Sequence, residues 1–251
     1  MPQPILLVIP AYHESGRLPN FLPELCEAVA GSGLMMDILV VDDGSGAAEQ
    51  DRLEEWLGSL RERHPFLAPM HRLPVNQGKG GAVYAGWELA THHHWLAFVD
   101  ADGAVPPAEV IRVARLTNDP NLMDKAIFAV RVSGAGRTVK RTISRRITGL
   151  VFRWLVRLLF DVPVPDTQCG YKIVPAPAYR SVRSHLVEKR FCFDVELGSL
   201  LTRSGCRIVA VPIDWHESPG GKVHPWAVRE MFTSLMRLRR RLTPAQMNAG
   251  G

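Results

Sequence analysis

The stretch Trp95–Val105, WLAFVDADGAV, places two carboxylates directly after a short apolar run. Trp95–Val99 contains no Gly or Pro, and such a run is typical of a strand buried inside an α/β sheet. Asp100 and Asp102 follow its carboxyl end, where an open parallel sheet forms its ligand crevice. Their oxygens suit Mg²⁺ or Mn²⁺, but an Asp after a strand is also ordinary turn chemistry, so this stretch alone leaves both interpretations open.

The segments around this stretch alternate apolar runs with helical patterns. Ile5–Ile9 and Ile38–Val41 are predicted to be buried strands. Leu18–Ala30 and Ala47–Arg63 have apolar residues at helical spacing. A strand, helix, strand order favours a mostly parallel central sheet flanked by helices, so we expect an α/β fold and a single domain. Further elements are predicted at Met70–Leu73, Ala82–Ala90, Pro107–Leu116, Ala126–Val130 and Arg207–Ile213.

The composition of the chain limits its class. Its 251 residues are 46% hydrophobic and 22% charged, as is ordinary for a folded domain. The four cysteines form no CxxC pair, which argues against a zinc ribbon and favours a cytoplasmic setting. A net charge of +5 favours anionic partners such as phosphates, acidic lipids or nucleic acid. No signal peptide and no apolar run of roughly 18 residues is found, so we expect any membrane contact to be peripheral.

Three polar loops that follow predicted strands are candidates for ligand contacts. Tyr12 and Glu14 follow the first strand, and Asp42 and Asp43 end the second. The segment Asn76–Gly81, NQGKGG, opens a helix, and its glycines allow backbone N–H groups to approach an anion. It lacks the spacing of a P-loop. Because polar loops and turn glycines are common without a ligand, a structural role stays open for each.

Positive charge is concentrated in the second half of the chain. Residues 125–160 contain nine Lys or Arg and no acidic residue. Within residues 145–160, an apolar stripe that includes Trp154, Leu155, Leu158 and Leu159 recurs at helical spacing beside arginines. Such a basic amphipathic segment can lie on a membrane surface, whereas periodicity alone favours a helix that packs this stripe on the core. The arginines can hold a phosphate in either case.

Two further groups of ionisable side chains have competing interpretations. Asp194 and Glu196 lie beside aromatic residues, where a raised pKa would suit a general base. Acids in a first helical turn also simply complement the helix dipole. His92, His93 and His94 precede the central strand; because adjacent histidines at a helix end are more often solvated than metal-bound, we assign them no role.

Four segments together resemble the successive motifs of family 2 inverting glycosyltransferases with the GT-A fold. They are VIPAYHE at Val8–Glu14, VVDDGS at Val40–Ser45, NQGKGGAV at Asn76–Val83 and FVDADG at Phe98–Gly103. Later segments resemble the dolichyl- or polyprenyl-phosphate glucosyltransferase branch, with the mannosyltransferases close behind. These are DTQCGYK at Asp166–Lys172, RFCFDVEL at Arg190–Leu197 and VPIDWHESPGGKV at Val211–Val223.

The resemblance implies a division of the chain and a role for individual residues. A Rossmann-like GT-A domain would span residues 1–242, with a nucleotide-sugar half at about 1–105, an acceptor half at about 106–242 and a flexible tail at 243–251. Asp102 and Asp100 would hold Mg²⁺ or Mn²⁺ at the diphosphate. Asp194 would match the base position, and Arg131, with the cluster Arg137–Arg146, the region that holds the lipid phosphate. The other implied donor contacts are Pro10, Tyr12, Glu14, Asp42, Asp43, Gly78, Lys79, Ala101, His216 and Lys222.

The resemblance implies metal-dependent transfer of a hexose, glucose first, from a UDP-sugar to a polyprenyl phosphate. A GDP-mannose donor or a soluble acceptor is the alternative. Many relatives carry transmembrane helices, and none is recognised in this sequence. We therefore expect the lipid to be reached from the cytoplasmic face of a membrane through residues 145–160, or to be delivered by a separate membrane-anchor partner.

Other classes of function fit the residues less well. A sugar-phosphate nucleotidyltransferase would carry its glycine-rich loop directly after the first strand, where this chain has PAYHE. The basic charge would suit nucleic acid, but aromatic and basic residues do not interleave along a platform, so we expect no nucleic-acid partner. A scaffold that binds a nucleotide without catalysis stays open.

Overall fold

The computed structural model describes residues 3–132, 139–140, 152, 154–190, 192–216 and 225–243. In chain order, the elements are β1 Ile5–Ala11, α1 Leu18–Ala30, β2 Met36–Asp42, α2 Ala47–Arg61, β3 His71–Arg72, α3 Lys79–Glu88, β4 Trp95–Val99, α4 Pro107–Ala114, β5 Ala126–Val130, β6 Val139–Lys140, α5 at residues 152 and 154–159, β7 Tyr171–Pro175, α6 Ala176–Val182, α7 Phe193–Arg203, β8 Ile208–Pro212, β9 Trp215–His216 and α8 Pro225–Leu242. Short 3-10 turns lie at Arg115–Asn118, Pro120–Leu122 and Arg183–His185.

The central sheet has the strand order β3-β2-β1-β4-β7-β5-β8. β1 pairs in parallel with β2 and β4, and β5 pairs in parallel with β8. β7 is antiparallel to both of its neighbours, β4 and β5. β6 and β9 form a separate parallel pair. The predicted single-domain α/β fold with a mostly parallel sheet is confirmed, and the reversed strand β7 is a feature that the sequence did not reveal.

Helices cover both faces of the sheet because its inner strands are apolar on both sides. All five residues of β4 are buried, as predicted. Leu7 and Val8, adjacent on β1, belong to opposite cores. The core that contains Leu7 is completed by α1, α2 and α4, and the core that contains Val8 by α3, α5, α6, α7 and α8. Because helices cover both faces of the sheet, a site can form at either end of the strands.

Element boundaries differ from the predicted ones by a few residues. α3 begins at Lys79 rather than Ala82, directly after Gly78, whose φ is 94°. α2 ends at Arg61, and the helix that was expected to reach Leu116 ends at Ala114, where a 3-10 turn follows. Within the described residues, no helix combines the length and apolar character that a membrane crossing requires.

The apolar stripe of α5 does not pack as periodicity alone predicted. Trp154 and Leu158 are each 62% exposed, while Leu155 and Leu159 are partly buried against the core. The core-facing position is taken instead by Phe152 and Val156. Apolar side chains therefore occupy more of this helix than the core can cover. The remainder of residues 145–160 outside 152 and 154–160 is not among the described residues.

Candidate active site

Most of the residues that the sequence singled out lie at one end of the strands of the central sheet. The carboxyl ends of β1, β2, β4 and β5 lie together at this end of the sheet because these strands run in the same direction. The amino end of β7 joins them because β7 is reversed. This end of the sheet therefore brings together Tyr12, Asp42, Asp43, Asp100, Asp102, Arg131 and the DTQCGYK segment.

The loop after β1 contains the first three implied donor contacts. Pro10 lies in register with Val41, and Tyr12 is 47% exposed. Glu14 accepts a hydrogen bond from Arg17 Nε at 2.7 Å. Burial raises the pKa of Glu14, while Arg17 opposes this shift. An exposed ring beside a fixed carboxylate suits the recognition of a base, and these contacts stay predictions.

Asp42 is buried, and its carboxylate is engaged within the protein. Oδ1 accepts hydrogen bonds from Ser45 N at 2.9 Å and Gln50 Nε2 at 2.7 Å, and Oδ2 accepts one from Ser45 Oγ at 2.6 Å. Ser45 Oγ in turn accepts a hydrogen bond from His13 N at 2.9 Å. Asp42 therefore fixes the loops after β1 and β2 relative to each other, and its contact with a nucleoside stays a prediction.

Asp43 binds the glycine-rich turn that was expected to receive an anion. Its oxygens accept hydrogen bonds from Gln77 N at 2.7 Å and Gly78 N at 2.8 Å. Burial raises the pKa of Asp43, and these two donors oppose the shift. Gly81 N donates to Lys189 O at 3.1 Å. The N–H groups of Gln77, Gly78 and Gly81 therefore bind protein oxygens, which corrects the expectation that they are available to a ligand.

The turn also depends on a close backbone approach. A Cβ on Gly78 would lie 2.6 Å from Lys189 O, and one on Gly80 would lie 2.5 Å from Phe193 Cβ. The facing loop is held by Glu196, whose Oε2 accepts hydrogen bonds from the backbone of residues 187 and 188 at 2.9 and 2.6 Å. Glu196 also forms an ion pair with Arg241. Its role is thus structural, and the general-base interpretation is not supported for Glu196.

Lys79 projects from the start of α3 to the carboxylate pair. Its Nζ lies 2.5 Å from Asp100 Oδ1 and above the rings of Phe98 and Phe193, at 5.1 and 5.7 Å from their centroids. Burial lowers the pKa of Lys79, but the charges of Asp100 and Asp194 outweigh it, so the net shift is upward. Lys79 is therefore a protonated cation in contact with the central motif.

Asp100 and Asp102 are the predicted ligands of a divalent metal, and this role stays a prediction. Asp102 Oδ1 accepts a hydrogen bond from Ala104 N at 3.0 Å. Burial raises the pKa of Asp102, and the negative charge of Asp100 adds to that shift. A cation between these hard oxygen ligands would relieve the repulsion, so the residues fit Mg²⁺ or Mn²⁺. Ala101 between them is buried and packs in the core.

Gly170 is required for Asp100 to adopt this position. Its carbonyl accepts a hydrogen bond from Asp100 N at 3.0 Å. A Cβ at position 170 would lie 2.1 Å from Asp100 Oδ2. The sequence showed this glycine only as part of DTQCGYK, because the approach of β7 to β4 was not predictable.

Lys172 lies in the candidate site, and sequence reasoning gave it no role. It lies on β7, is fully buried, and places Nζ 2.5 Å from Asp194 Oδ1. The same nitrogen donates to Cys169 O at 2.8 Å and lies 5.1 Å from the ring centroids of Phe98 and Phe128. The available signal was a lysine within an otherwise apolar strand.

Asp194 lies between two lysines. It is 4% exposed, at the first turn of α7. Burial raises its pKa, while the positive charges of Lys172 and Lys79 oppose that shift. A buried carboxylate with a raised pKa is suited to accept a proton, so the predicted role of Asp194 as a base stays a prediction that its surroundings favour.

Arg131 is fixed at the end of β5. Its Nε and Nη2 donate to Asp166 Oδ2 and Oδ1 at 2.7 and 2.9 Å, and its guanidinium lies 5.4 Å from the Trp215 ring centroid. Although burial lowers the pKa of Arg131, Asp166 produces a net upward shift, so the guanidinium is charged. Its contact with an acceptor phosphate stays a prediction.

The C-terminal part of the predicted site is described only in part. The His216 side chain is exposed, and the backbone N–H of His216 donates to Ala104 O at 3.0 Å, which brings β9 next to the loop that carries Asp102. Lys222, the side chains of Arg137–Arg146 and residues 244–251 lie outside the described residues. Predictions for these positions stay as stated.

Comparisons with known proteins find one family model and several relatives that cover most of the chain. The model of the family "Glycosyl transferase family 2" matches residues 6–165. A dolichyl-phosphate beta-glucosyltransferase of Drosophila melanogaster is 31% identical over 239 residues, which cover 91% of this chain and 72% of that protein. An undecaprenyl-phosphate mannosyltransferase of Micrococcus luteus is 31% identical over 221 residues, which cover 87% of this chain and 86% of that protein.

Solved structures share the fold. Glucosyl-3-phosphoglycerate synthase from Mycobacterium tuberculosis, solved with Mg²⁺ and uridine diphosphate, has a TM-score of 0.67 and is 16% identical, and the match covers 95% of this chain and 80% of that one. The chain spans 64%, 65% and 66% of three other matching structures. At this identity the likeness concerns the fold, and it confirms the predicted GT-A architecture.

Proposed function

Because the chain belongs to glycosyl transferase family 2, we propose that it transfers glucose from UDP-glucose to a polyprenyl phosphate. The observation that carries this proposal is the convergence of Asp100, Asp102 and Lys79 at the carboxyl edge of the sheet. Both relatives named above act, by name, with a polyprenyl-type phosphate. Their similarity extends over most of this chain, including the acceptor half.

We assign the donor side to the central motif and α3. Asp102 and Asp100 would hold Mg²⁺ or Mn²⁺, which when bound neutralises charge on the departing nucleoside diphosphate. Lys79 is protonated and lies 2.5 Å from Asp100, so it adds a second positive charge at the same place. Gly170 allows the Asp100 carboxylate to lie against β7.

We assign the acceptor side to Arg131 and Asp194. A phosphate acceptor is already ionised, so it needs orientation and charge neutralisation more than deprotonation. Arg131 supplies a charged group whose direction is set by Asp166. Asp194 is held by Lys172 and accepts a proton where the acceptor still carries one. A phosphate oxygen of the acceptor bonds to the anomeric carbon on the face opposite the nucleoside diphosphate, whose bond to that carbon breaks, so the configuration is inverted.

We propose that α5 contacts the cytoplasmic face of a membrane. Trp154 and Leu158 are four residues apart, so they share one helix face, and each is 62% exposed. Val156, on the opposite side, is buried in the core. An exposed Trp and Leu on a basic amphipathic segment is the composition of helices that lie in a membrane interface. A separate membrane-anchor partner is the alternative route to the lipid.

A transfer assay tests the reaction. We expect the purified chain to glucosylate a short-chain polyprenyl phosphate from UDP-glucose, with loss of product on chelation and in Asp102→Asn. Asp51→Asn changes an exposed aspartate on α2 and serves as the matched control. Transfer from GDP-mannose alone, which the Micrococcus relative makes the second candidate, would replace the donor. Full activity in Asp102→Asn would contradict the proposed site.

Vesicle flotation tests the membrane contact separately. We expect the chain to float with anionic vesicles, and the double variant Trp154→Ser/Leu158→Ser to remain in the soluble fraction. Met123→Ser, at an apolar position that is 52% exposed elsewhere, should float like the unchanged chain. Equal flotation of both variants would exclude α5 as the contact and favour a separate anchor.

A further inference from the structure

We propose a second metal site, for Zn²⁺, formed by Asp37, His92 and His93. It lies at the amino ends of the strands, because Asp37 is the second residue of β2 and His93 precedes β4. The length of the strands therefore separates the proposed site from Asp100 and Asp102, which lie at the carboxyl ends of the strands. This site is independent of the proposed glycosyl transfer.

The two imidazoles converge on one oxygen. Nε2 of His93 lies 3.0 Å and Nε2 of His92 lies 3.8 Å from Asp37 Oδ2. One ligand atom of each residue can be chosen so that all three lie within 4.8 Å of one another. In a tetrahedral Zn²⁺ site with bonds of about 2.0 to 2.1 Å, ligand atoms are about 3.3 Å apart. The two measured nitrogen–oxygen separations bracket that value, so both imidazoles lie near the spacing that a shared ion beside Asp37 Oδ2 requires.

The two histidines differ in what holds them next to Asp37. The imidazole centroids are 4.2 Å apart with an interplanar angle of 31°. A hydrogen bond to Asp37 accounts for the position of His93, but His92 at 3.8 Å is too distant for one. Thr91 Oγ1 lies 3.1 Å from Nδ1 of His92. A partner on the outer ring nitrogen is the usual support of a metal-binding histidine.

The backbone holds the ligands in place before a metal binds. Leu6 of β1 pairs with Asp37 on one side and with Leu96 of β4 on the other. The N–H groups of His94 and Trp95 both donate to Pro4 O, at 3.0 and 3.1 Å. A bound ion would therefore connect the segment before β4 to β2 across the end of β1, and we expect it to raise the melting temperature.

The choice of metal follows from the ligand atoms. Two imidazole nitrogens and one carboxylate favour Zn²⁺, whereas Mg²⁺ prefers oxygen ligands. The Asp37 and His92 side chains are 43% and 63% exposed, so water can enter and complete the coordination. Saturating Mg²⁺ can therefore occupy the carboxylate pair at the other edge without competing strongly here.

Calorimetric titration of the tag-free full chain with Zn²⁺, in saturating Mg²⁺, tests the proposal. We expect one Zn²⁺ per chain, retained in Asp102→Asn, and at least about tenfold weaker binding in His92→Ala and His93→Ala. His94→Ala changes the exposed third histidine of the same run and is the matched control. Visible absorption of the Co²⁺-loaded chain should show a tetrahedral spectrum that His92→Ala abolishes.

The contradicting outcomes are equally defined. The proposal is wrong if no stoichiometric Zn²⁺ binds, if His92→Ala binds like the unchanged chain, or if His94→Ala weakens binding equally. Because His92 is exposed, its replacement should leave folding intact, so loss of binding there cannot be attributed to unfolding. Thermal unfolding without metal checks this for each variant.

Discussion

Two lysine–aspartate pairs lie in the candidate site, and they differ in their access to solvent. The Lys79–Asp100 and Lys172–Asp194 pairs have the same Nζ–Oδ1 distance, 2.5 Å, and both lysines lie 5.1 Å from the Phe98 centroid. The side chains of the first pair are 34% and 33% exposed, and those of the second are 0% and 5% exposed. Equal distances thus occur in unequal surroundings.

The difference in burial predicts different roles for the two pairs. The Lys79–Asp100 pair is suited to ligand binding, and the Lys172–Asp194 pair to support of the fold. A partly exposed ion pair contributes little to stability, so Lys79 and Asp100 can exchange contacts with a ligand at small cost. A buried pair is expensive to break because the remaining charge has no water and loses its ion partner. We therefore expect changes to Lys172 to affect folding first, and changes to Lys79 to affect transfer first.

The largest expected effect comes from Lys172→Met, which leaves the Asp194 carboxylate buried without its ion partner. We expect the free energy of unfolding to fall by about 3 to 5 kcal/mol, measured by urea denaturation. The double variant Lys172→Met/Asp194→Leu removes both charges and should recover most of this loss. A loss below about 1 kcal/mol in the single variant would show that the buried pair is not a structural support.

Lys79→Met should have the opposite profile. We expect about a 100-fold lower kcat, because a positive charge beside the departing diphosphate is lost. The free energy of unfolding should change by less than about 1 kcal/mol, since the pair is partly exposed. Steady-state transfer and urea denaturation of the same preparation measure the kcat and the free energy of unfolding. A stability loss as large as that of Lys172→Met would remove the distinction between the pairs.

Gly170→Ala tests how Asp100 of the Lys79–Asp100 pair is positioned. The added Cβ would lie 2.1 Å from Asp100 Oδ2, so either the carboxylate or β7 must move. We expect a stability loss of about 1 to 3 kcal/mol and a Mn²⁺ affinity lower by about tenfold or more. Gly16→Ala is the matched control, since no atom lies within 4 Å of a Cβ there. Unchanged Mn²⁺ affinity in Gly170→Ala would mean that Asp100 does not bind the metal.

The sequence indicated the residues of the Lys79–Asp100 pair better than those of the Lys172–Asp194 pair, for a physical reason. Asp100 follows an apolar strand, and Lys79 opens a helix in a glycine-rich turn, so both stand at boundaries that local patterns reveal. Lys172 lies inside β7, and its partner begins α7. Their contact depends on the reversal of β7 between β4 and β5, which no local pattern indicates.

The same limit applies to the glycine-rich turn and to α5. The sequence left NQGKGG open as an anion site or a structural turn, and in the structure two of its N–H groups donate to Asp43. The spacing within residues 145–160 predicted a helix, but which apolar face meets the core depends on neighbouring helices. Trp154 and Leu158 lie on the predicted helix and are exposed, which is not what periodicity alone favoured, and their contact with a membrane stays a prediction.

The smallest expected effect is a shift in pH dependence, through which the charge of Lys79 acts on Asp102. Burial raises the pKa of Asp102, Asp100 raises it further, and Lys79 lowers it. A metal ligand must be deprotonated, so Mn²⁺ affinity should fall as the pH drops through this raised pKa. Without metal the sign for stability is the reverse: the folded state holds this proton more tightly, so the stabilisation is lost as pH rises through the folded pKa.

Removal of the Lys79 charge should therefore move the acid limb of Mn²⁺ affinity to higher pH. Affinity measured calorimetrically across the acid range, in the unchanged chain and in Lys79→Met, gives the shift. Lys125→Met, which removes a lysine whose Nζ donates to Asn121 O on the surface, should leave the limb in place. A limb that stays fixed in Lys79→Met would show that the lysine acts on the leaving diphosphate alone and does not tune the carboxylate pair.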